Sequence, residues 1–305
     1  MSEKITLEEA SESIPRRAGW VRRLAQRRLV WVALIGLSLF GLAAVFAEEV
    51  SPYTQVQQDV EHALEGPSHQ HWMGTDELGR DLFARVLHGA RVSLAVALIT
   101  SLFSLFFGAA FGAFSGYRGG RIDHLLMRIV DVFYSFPDLL IIILLTMVLK
   151  GEGDTGMVAI IIALTLTSWA SVARVVRGEV LRLRELAYVE SARALGAGHG
   201  RVLWRHILPN TTGALVVLFT YRIPTIILAE STVSFLGQGL RPPYASWGTL
   251  VHEGWVAMQY HAHLILFPCL AISLTVLAFN ILGDALRDAI DPDRRAFQGA
   301  VKPSR

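Results

Sequence analysis

The chain has 305 residues, of which 52% are hydrophobic and only 18% are charged. Soluble domains carry about 25% charged residues, so this composition and the mean hydropathy of +0.43 indicate a membrane protein. The net charge of +2 is uninformative by itself, but the distribution of charge along the chain is not. The single cysteine, Cys269, excludes an intrachain disulfide framework and a cysteine-rich metal site.

Six apolar runs are long enough to cross a membrane, because a hydrocarbon layer of ~30 Å takes about 20 helical residues. They lack the alternation of barrel strands, so the sequence predicts an all-α polytopic membrane protein with six transmembrane helices. A signal peptide has an apolar region of about 7–15 residues. The first run is longer, so we predict that it is an uncleaved membrane anchor. The runs cover residues 29–47, 92–114, 125–149, 157–173, 211–230 and 264–282.

Lysine and arginine are distributed unequally between the segments that flank these runs. Residues 1–28, 115–124, 174–210 and the tail from 284 hold 21 of them, whereas the alternate segments hold 5. Because cytoplasmic loops are enriched in Lys and Arg, we expect both termini and the segment 174–210 to be cytoplasmic.

Two outer segments differ in their patterns. The stretch GTDELGRDLFARVLHGAR, residues 74–91, predicts an amphipathic helix that lies at the outer membrane surface. After the fifth run, SFLGQGLRPPYASWG mixes Gly, Pro and aromatic residues and cannot form one straight helix. The apolar side of the predicted surface helix comprises Leu82, Phe83, Val86 and Leu87.

The second run contains Gly108, Gly112 and Gly116 at four-residue spacing. This spacing clears one helix face and predicts a close packing seam, either within the bundle or with a second subunit. The alternative explanation is that glycine is simply common in membrane helices. In the third run, Pro137 predicts a kink.

Polar side chains inside the predicted spans are costly and tend to face a bundle interior or a cavity. Asp131, Arg222 and Glu230 are therefore candidates for lining a translocation path. Arg128 and Asp131 are three residues apart, so they could instead pair with each other on one helix face. The remaining polar candidates are Asp138 in the third run and Asn280 in the sixth.

The stretch ELAYVESARALGAGHGRVLWRHILPN, residues 185–210, is polar and basic although apolar runs flank it. We predict a short helix from Ala187 to Leu195, bounded by Gly196, and a second amphipathic stretch that ends at Pro209. Helices this short are marginal alone and need a partner surface. Arginines and Trp204 favour lipid headgroups, a small-residue face favours a groove on another protein, and another part of this chain is the third alternative. That face comprises Ala187, Ser191 and Ala192, flanked by Tyr188, Glu190 and Leu195.

Within this stretch, ESARALGAGHGRVLWRHILPN closely resembles the EAA loop of ABC importer permeases, a Glu-Ala-Ala followed by a Gly and later by Leu-Pro. Ser191 stands where the family has its middle Ala. The stretches HWMGTDELGRDLFARVLHGARVSL, SFLGQGLRPPYASWGTL and GDALRDAIDP are similar to signatures of the second permease subunit of dipeptide, oligopeptide and nickel importers. The matching loop residues are Glu190, Ala192, Gly196, Leu208 and Pro209.

The resemblance implies a type I ABC importer permease fold in a prokaryotic inner membrane, with the loop acting as a coupling helix on an ATPase. The implied partners are a second homologous permease, two ATP-binding cassette subunits that bind ATP and Mg, and an extracytoplasmic substrate-binding protein. No cofactor is expected on this chain. Dipeptides or oligopeptides are the expected substrates, with nickel or glutathione as alternatives. The implied ATPase-coupling residues are Ala187, Tyr188, Glu190, Ser191, Ala192, Leu195, Gly196, Leu208 and Pro209.

The predicted spans, together with the resemblance, divide the chain into five parts. They are a cytoplasmic segment 1–28, a first transmembrane helix 29–47, an extracytoplasmic segment 48–91 with the interfacial helix, a five-helix permease core 92–283 with the coupling loop 185–210, and a cytoplasmic tail 284–305.

No catalytic site is expected on this chain. A self-powered pump needs a phosphate loop such as GxxxxGK(S/T), and none of the lysines follows one. An intramembrane hydrolase is a distant alternative, since HEGWV at 252 lacks the second His of HExxH and Ser168 has no obvious histidine partner. A channel is the second distant alternative. The EAA-like loop 185–210 argues against it, because a channel would not need a surface for an ATPase. The spacing of His252, His261 and His263 predicts no metal site.

Overall fold

The computed structural model describes residues 27–151, 153 and 155–290. The predicted segment 1–28 lies outside the described residues except for its last two, and the predicted tail 284–305 does so beyond residue 290. Within the described ranges the chain is helical, and the β-type pairing there is an isolated bridge between Thr75 and Asp81. The predicted all-α fold class is confirmed.

The described residues form nine helices of at least 8 residues, joined by loops and shorter helical segments. The short segments are the α-helical Ala47–Val50 and His199–Arg201, the 3₁₀ turn Val60–His62, and the π-helical Val202–Ile207 and Ser234–Gln238. The long helices are α1 (Arg28–Val45), α2 (Leu82–Arg118), α3 (Gly120–Tyr134), α4 (Asp138–Leu149), α5 (Met157–Leu183), α6 (Ala187–Ala194), α7 (Leu208–Val233), α8 (Trp247–Ala257) and α9 (His263–Ile290).

Five helical stretches, built on α1, α2, α5, α7 and α9, are long and apolar enough to cross a membrane. The sixth candidate is the pair α3 and α4, which are bent by 81° relative to each other. The predicted run 125–149 is therefore broken at Pro137 rather than only kinked. The proline ring removes a backbone N–H and disfavours the helical conformation in Phe136 before it, so α3 ends and α4 starts in a new direction.

Helical turns run without a break from His199 through α7, and the stretch is kinked only near its end, at Gly237, where φ is +83°. The amphipathic stretch thus does not end at Pro209, contrary to the sequence prediction. Pro209 lies just after the π-helical segment Val202–Ile207, where the regular i→i−4 hydrogen-bond pattern is already interrupted, so its missing backbone N–H does not end the helix.

The interfacial helix predicted for residues 74–91 is not a separate element. Asp81 caps α2 by accepting a hydrogen bond of 2.8 Å from the backbone N–H of Ala84, and α2 then continues into the second span. Leu82 and Val86, expected against lipid, are at most 2% exposed and belong to a core cluster with Leu250 of α8. The apolar side of this stretch is therefore covered by the protein, which corrects the prediction.

The helices α2 and α5 form the most extensive helix pair of the described chain. Gly108, Gly112 and Gly116 lie along their contact. A Cβ atom on Gly112 would lie 2.2 Å from the carbonyl oxygen of Ala173, so only glycine permits this approach. The seam lies within the bundle, between two helices of the same chain. Beside it, the largest hydrophobic cluster joins α2, α5, α7 and α9 through Val96, Ile160, Leu164, Ile226, Ile227 and Ile272.

Candidate functional site

The loop 185–210 folds onto the end of the bundle through one buried side chain of its short helix. Val189 is fully buried, and it is the buried residue of α6. It belongs to a hydrophobic cluster with Val180 of α5 and with Val202 and Ile207 of the following π-helical segment. The contact orients α6, because it leaves the other sides of this helix to face outward.

The outward sides of the loop present both polar and large apolar groups. Glu190 and Ser191 are exposed, and Ala192 is half-buried. Leu195 is 89% exposed and Trp204 is 73% exposed. Apolar side chains this exposed outside the spans indicate a surface that another molecule covers. Ala187, Tyr188 and Leu186 are also exposed there.

Gly196 ends α6 in the left-handed region with φ of +83°. The N–H of Gly196 donates to the carbonyl of Arg193 at 2.9 Å, and the N–H of Ala197 donates to the carbonyl of Ala192 at 3.0 Å. This is the hydrogen-bond pattern of a Schellman C-cap. A Cβ atom at Gly196 would meet nothing within 4 Å, so this position requires glycine for its backbone conformation and not for space.

The two halves of the loop are joined through Tyr188. Its hydroxyl donates to the carbonyl of His206 at 3.3 Å, and the side-chain amide of Asn210 donates to the same hydroxyl at 3.3 Å. Leu208 is half-buried and Pro209 is exposed at the start of α7. The structure thus brings α6 and the first turn of α7 together, as one surface element.

A buried carboxylate that the sequence reasoning missed joins three helices at the end of the bundle that carries this loop. Asp123 of α3 is 5% exposed and accepts two hydrogen bonds of 2.5 Å from the guanidinium of Arg177. It also accepts a bond of 2.6 Å from the hydroxyl of Ser115. These contacts join α2, α3 and α5 directly below the loop. Nothing in the local sequence marks Asp123, because its partners are distant in the chain.

Further contacts at the same end tie the loop to α2. The guanidinium of Arg184 donates to the carbonyl of Gly116 at 3.0 Å. The hydroxyl of Tyr117 lies 3.1 Å from Nδ1 of His199, and the guanidinium of Arg193 lies 5.8 Å from the Tyr117 ring centre. A force on the loop would therefore reach the spans through α2 as well as through α5 and α7.

The polar residues predicted inside the spans have different surroundings. Asp131 is exposed and forms an ion pair of 3.0 Å with Arg174, not with Arg128 as the alternative held. Arg174 also lies over the ring of Tyr134 at 4.1 Å. Arg222 is half-buried, lines a cavity between α4, α5 and α7, and donates from Nη2 to the carbonyl of Ser168.

Glu230 does not line an accessible path in this structure, which corrects the prediction. Its side chain is 0% exposed. The carboxylate accepts hydrogen bonds from the hydroxyls of Ser234 at 2.6 Å and Ser93 at 3.2 Å. Ser93 also accepts the backbone N–H of Trp247 at 3.2 Å. Glu230 is enclosed because α2 and α8 pack over it, a tertiary contact that its position in the sequence does not reveal.

A second charged cluster lies at the opposite end of α2 from the loop. Asp76 accepts hydrogen bonds from Arg80 at 2.7 Å and Arg85 at 2.6 Å, and Arg85 also pairs with Glu253 of α8. Arg85 is 2% exposed. The cluster ties the segment before α2 to α8, and the sequence could not have grouped Glu253 with the other three residues because it lies far from them along the chain.

The described part of the chain holds no group of three or more His, Cys, Asp or Glu side chains that could bind a metal ion. The rings of His261 and His263 lie 6.0 Å apart, and His252 packs against Phe235 instead.

Comparison with known proteins agrees with this arrangement. Residues 108–296 match the family described as binding-protein-dependent transport system inner membrane component. Residues 17–67 match the N-terminal TM domain of oligopeptide transport permease C.

Three similar relatives are themselves permeases. The dipeptide transport system permease protein DppC of Bacillus subtilis is 44% identical over 90% of this chain and 85% of its own length. The oligopeptide transport system permease protein OppC of the same organism is 42% identical over 90% of this chain and 88% of its own length. The glutathione transport system permease protein GsiD of Escherichia coli is 43% identical over 89% of this chain and 88% of its own length.

The fold is similar to that of a solved transporter. A chain of the MetNI methionine ABC transporter, in an inward-facing conformation, has a TM-score of 0.57 at 19% identity, over 68% of this chain and 96% of that one. The helices, the loop and these similarities define a multi-pass membrane permease with an ABC importer fold, and not an enzyme. The chain belongs to the family of binding-protein-dependent transport system inner membrane components.

Proposed function

We propose that this chain is a permease subunit of an ATP-driven peptide importer. The dipeptide and oligopeptide permeases, at 44% and 42% identity, support a peptide substrate. Glutathione is the second candidate, because a glutathione permease is 43% identical. In this proposal a second homologous permease completes the translocation path, and a substrate-binding protein delivers the peptide from the extracytoplasmic side.

The observation that supports the coupling role is the structure of the loop 185–210. Its buried Val189 packs against the bundle, whereas Leu195 and Trp204 are exposed on its outer side. Two cytoplasmic ATPase subunits, one on each permease, would bind ATP and Mg and grip the exposed side of this loop. Nucleotide binding shifts the permease between outward- and inward-facing states only if the loop makes different contacts in each. The proposed contact residues are Ala187, Tyr188, Glu190, Ser191, Ala192, Leu195 and Trp204, with Gly196, Leu208 and Pro209 shaping the surface.

The bend between α3 and α4 is the place we propose for the path along this subunit. Asp131 is exposed close to the bend, and Arg222 lines the cavity beside it. Glu230 is not included, because it is enclosed by protein.

Replacing Glu190 by Lys tests the coupling role. The change places a positive charge on the exposed side of α6 without disturbing a described hydrogen bond. We expect ATP-dependent peptide uptake by the complete reconstituted transporter to fall at least about tenfold, since like charges that face each other at an interface cost several kcal/mol. We expect the ATPase subunits to copurify poorly with this variant.

Glu61→Lys is the matched control, because Glu61 is an exposed acid in the outer segment. It should transport at the rate of the unmodified chain. Normal uptake and normal ATPase binding by the Glu190→Lys variant would show that this loop is not the coupling surface.

A further inference from the structure

A cavity of about 200 Å³ lies where the α3–α4 bend meets α5 and α7. Its walls combine apolar side chains with one acid, one base and several hydroxyl groups. The part of the wall that comes from Asp138 and Thr225 is exposed, so the cavity opens to the outside of this subunit. The polar lining residues are Tyr134, Asp138, Thr167, Ser168, Ser171, Arg222 and Thr225.

The guanidinium of Arg222 is only partly satisfied by the protein. Nη2 donates to the backbone carbonyl of Ser168, whereas Nε is buried and has no hydrogen-bond partner among the described residues. A guanidinium keeps its charge at every physiological pH, so this group cannot lower its cost by losing a proton. Ionisable groups inside membrane spans are expensive and mark functional sites by default.

Asp138 supplies the opposite charge on the same cavity. It lies in the first turn of α4, where the helix dipole favours an anion. It forms no ion pair with Arg222 or with any other side chain that the structure describes. Arg222 and Asp138 therefore line the same cavity without a salt bridge between them.

We propose that this cavity is a transient subsite for a short zwitterionic peptide, whose free carboxylate binds Arg222 and whose ammonium group binds Asp138. The assignment rests on the proposed import function. A guanidinium suits a carboxylate because it presents a planar set of donors. The cavity is smaller than the about 300–1,000 Å³ of drug-sized sites, which fits a short peptide. Glutathione carries the same two groups and belongs to the same chemical class.

Two peptide derivatives and two variants test the proposal. In the complete transporter reconstituted in lipid vesicles, uptake of the free dipeptide Ala-Phe is compared with that of its C-terminal amide and its N-acetyl form. The binding protein is the same in every assay, so its own preference cancels when permease variants are compared. Arg222→Gln should lower uptake of Ala-Phe about tenfold, the loss expected for a charge-assisted hydrogen bond, and leave uptake of the amide within about twofold.

The acid gives a parallel comparison. Asp138→Asn should lower uptake of Ala-Phe and leave uptake of the N-acetyl form nearly unchanged. Arg222→Lys should recover part of the loss, because the charge is kept and the planar donor set is not. Arg128→Gln is the matched control, since Arg128 is exposed and does not line the cavity. It should have no selective effect.

A labelling assay tests the cavity without the binding protein or transport. In a Cys269→Ser background, a cysteine introduced by Thr225→Cys is labelled with a maleimide in the assembled transporter. Millimolar Ala-Phe should slow the labelling, whereas its amide should not, and Arg222→Gln should abolish the protection.

Equal loss of uptake for Ala-Phe and its amide, or equal protection by both, would overturn the subsite, because Arg222 would then only join α7 to α5. A lack of protection by Ala-Phe would overturn it as well. If the unmodified complex took up no peptide in the presence of ATP, the proposed function would be rejected instead. The labelling assay would still show whether Ala-Phe binds in the cavity.

Discussion

Asp123 illustrates how one buried side chain can join three helices of the bundle. The carboxylate accepts bonds from a guanidinium and a hydroxyl on two other helices, and its side chain is almost completely shielded from water. Hydrogen bonds to charged groups are worth more than neutral ones, and an unpaired buried partner is costly. The stability of the bundle at this end is therefore expected to depend on Asp123.

We predict that Asp123→Ala destabilises the assembled transporter by about 1.5–3 kcal/mol, seen as a lower thermal midpoint in detergent. The variant leaves Arg177 without its acceptor. Asp131→Ala is the matched control, because the Asp131–Arg174 pair is about half exposed, with side-chain exposures of 54% and 48%. Exposed pairs contribute at most about 1 kcal/mol. Equal midpoints for the two variants would contradict the proposed importance of Asp123.

At the scale of elements, α2 and α5 behave as one unit because their backbones meet at three glycines. Apolar side chains alone do not drive helices together in lipid, so close backbone packing has to supply the attraction. The bend between α3 and α4 has the opposite character, since Pro137 interrupts the helix and leaves polar groups near a cavity. The subunit therefore combines a closely packed helix pair with a span that is broken at Pro137.

We predict that Gly112→Ala destabilises the bundle by about 1–3 kcal/mol, the usual cost of overpacking. The added carbon would meet backbone atoms of Ala173, which cannot rotate away. The control is Gly178→Ala in α5, where the added carbon would meet nothing within 4 Å. Alanine is the better helix former by up to about 1 kcal/mol, so that variant should be unchanged or more stable.

The measurement is the thermal midpoint of each variant in detergent, compared with that of the unmodified chain. A Gly112→Ala protein as stable as the Gly178→Ala protein would mean that the α2–α5 seam is looser than described.

At the scale of the whole molecule, the two ends of the bundle differ in chemistry. The end with the loop 185–210 is basic and exposes large apolar groups, whereas the other end carries the paired charges of Asp76, Arg80, Arg85 and Glu253. The surplus of Lys and Arg favours a cytoplasmic position for the loop end. This orientation agrees with the proposed contact to ATPase subunits.

Cysteine labelling in intact cells checks the orientation. In a Cys269→Ser background, Tyr260→Cys and Leu195→Cys place thiols at positions that are 86% and 89% exposed. A maleimide that does not cross membranes should label the first variant from outside, and the second only after the cells are permeabilised. The reverse pattern would exclude a cytoplasmic loop.

The sequence by itself determined the membrane class, the approximate spans, the glycine spacing and the short helix that ends before Gly196. These features depend on local composition and periodicity, which a single chain displays directly. Only the tertiary structure decided that the third run breaks by 81°, that Leu82 and Val86 are covered by protein, and that Glu230 is enclosed. It also joined Asp123 to Arg177 and placed Arg222 with Asp138 on one cavity. Such contacts depend on which helix faces are brought together, and no pattern along one segment encodes the neighbour that will cover it.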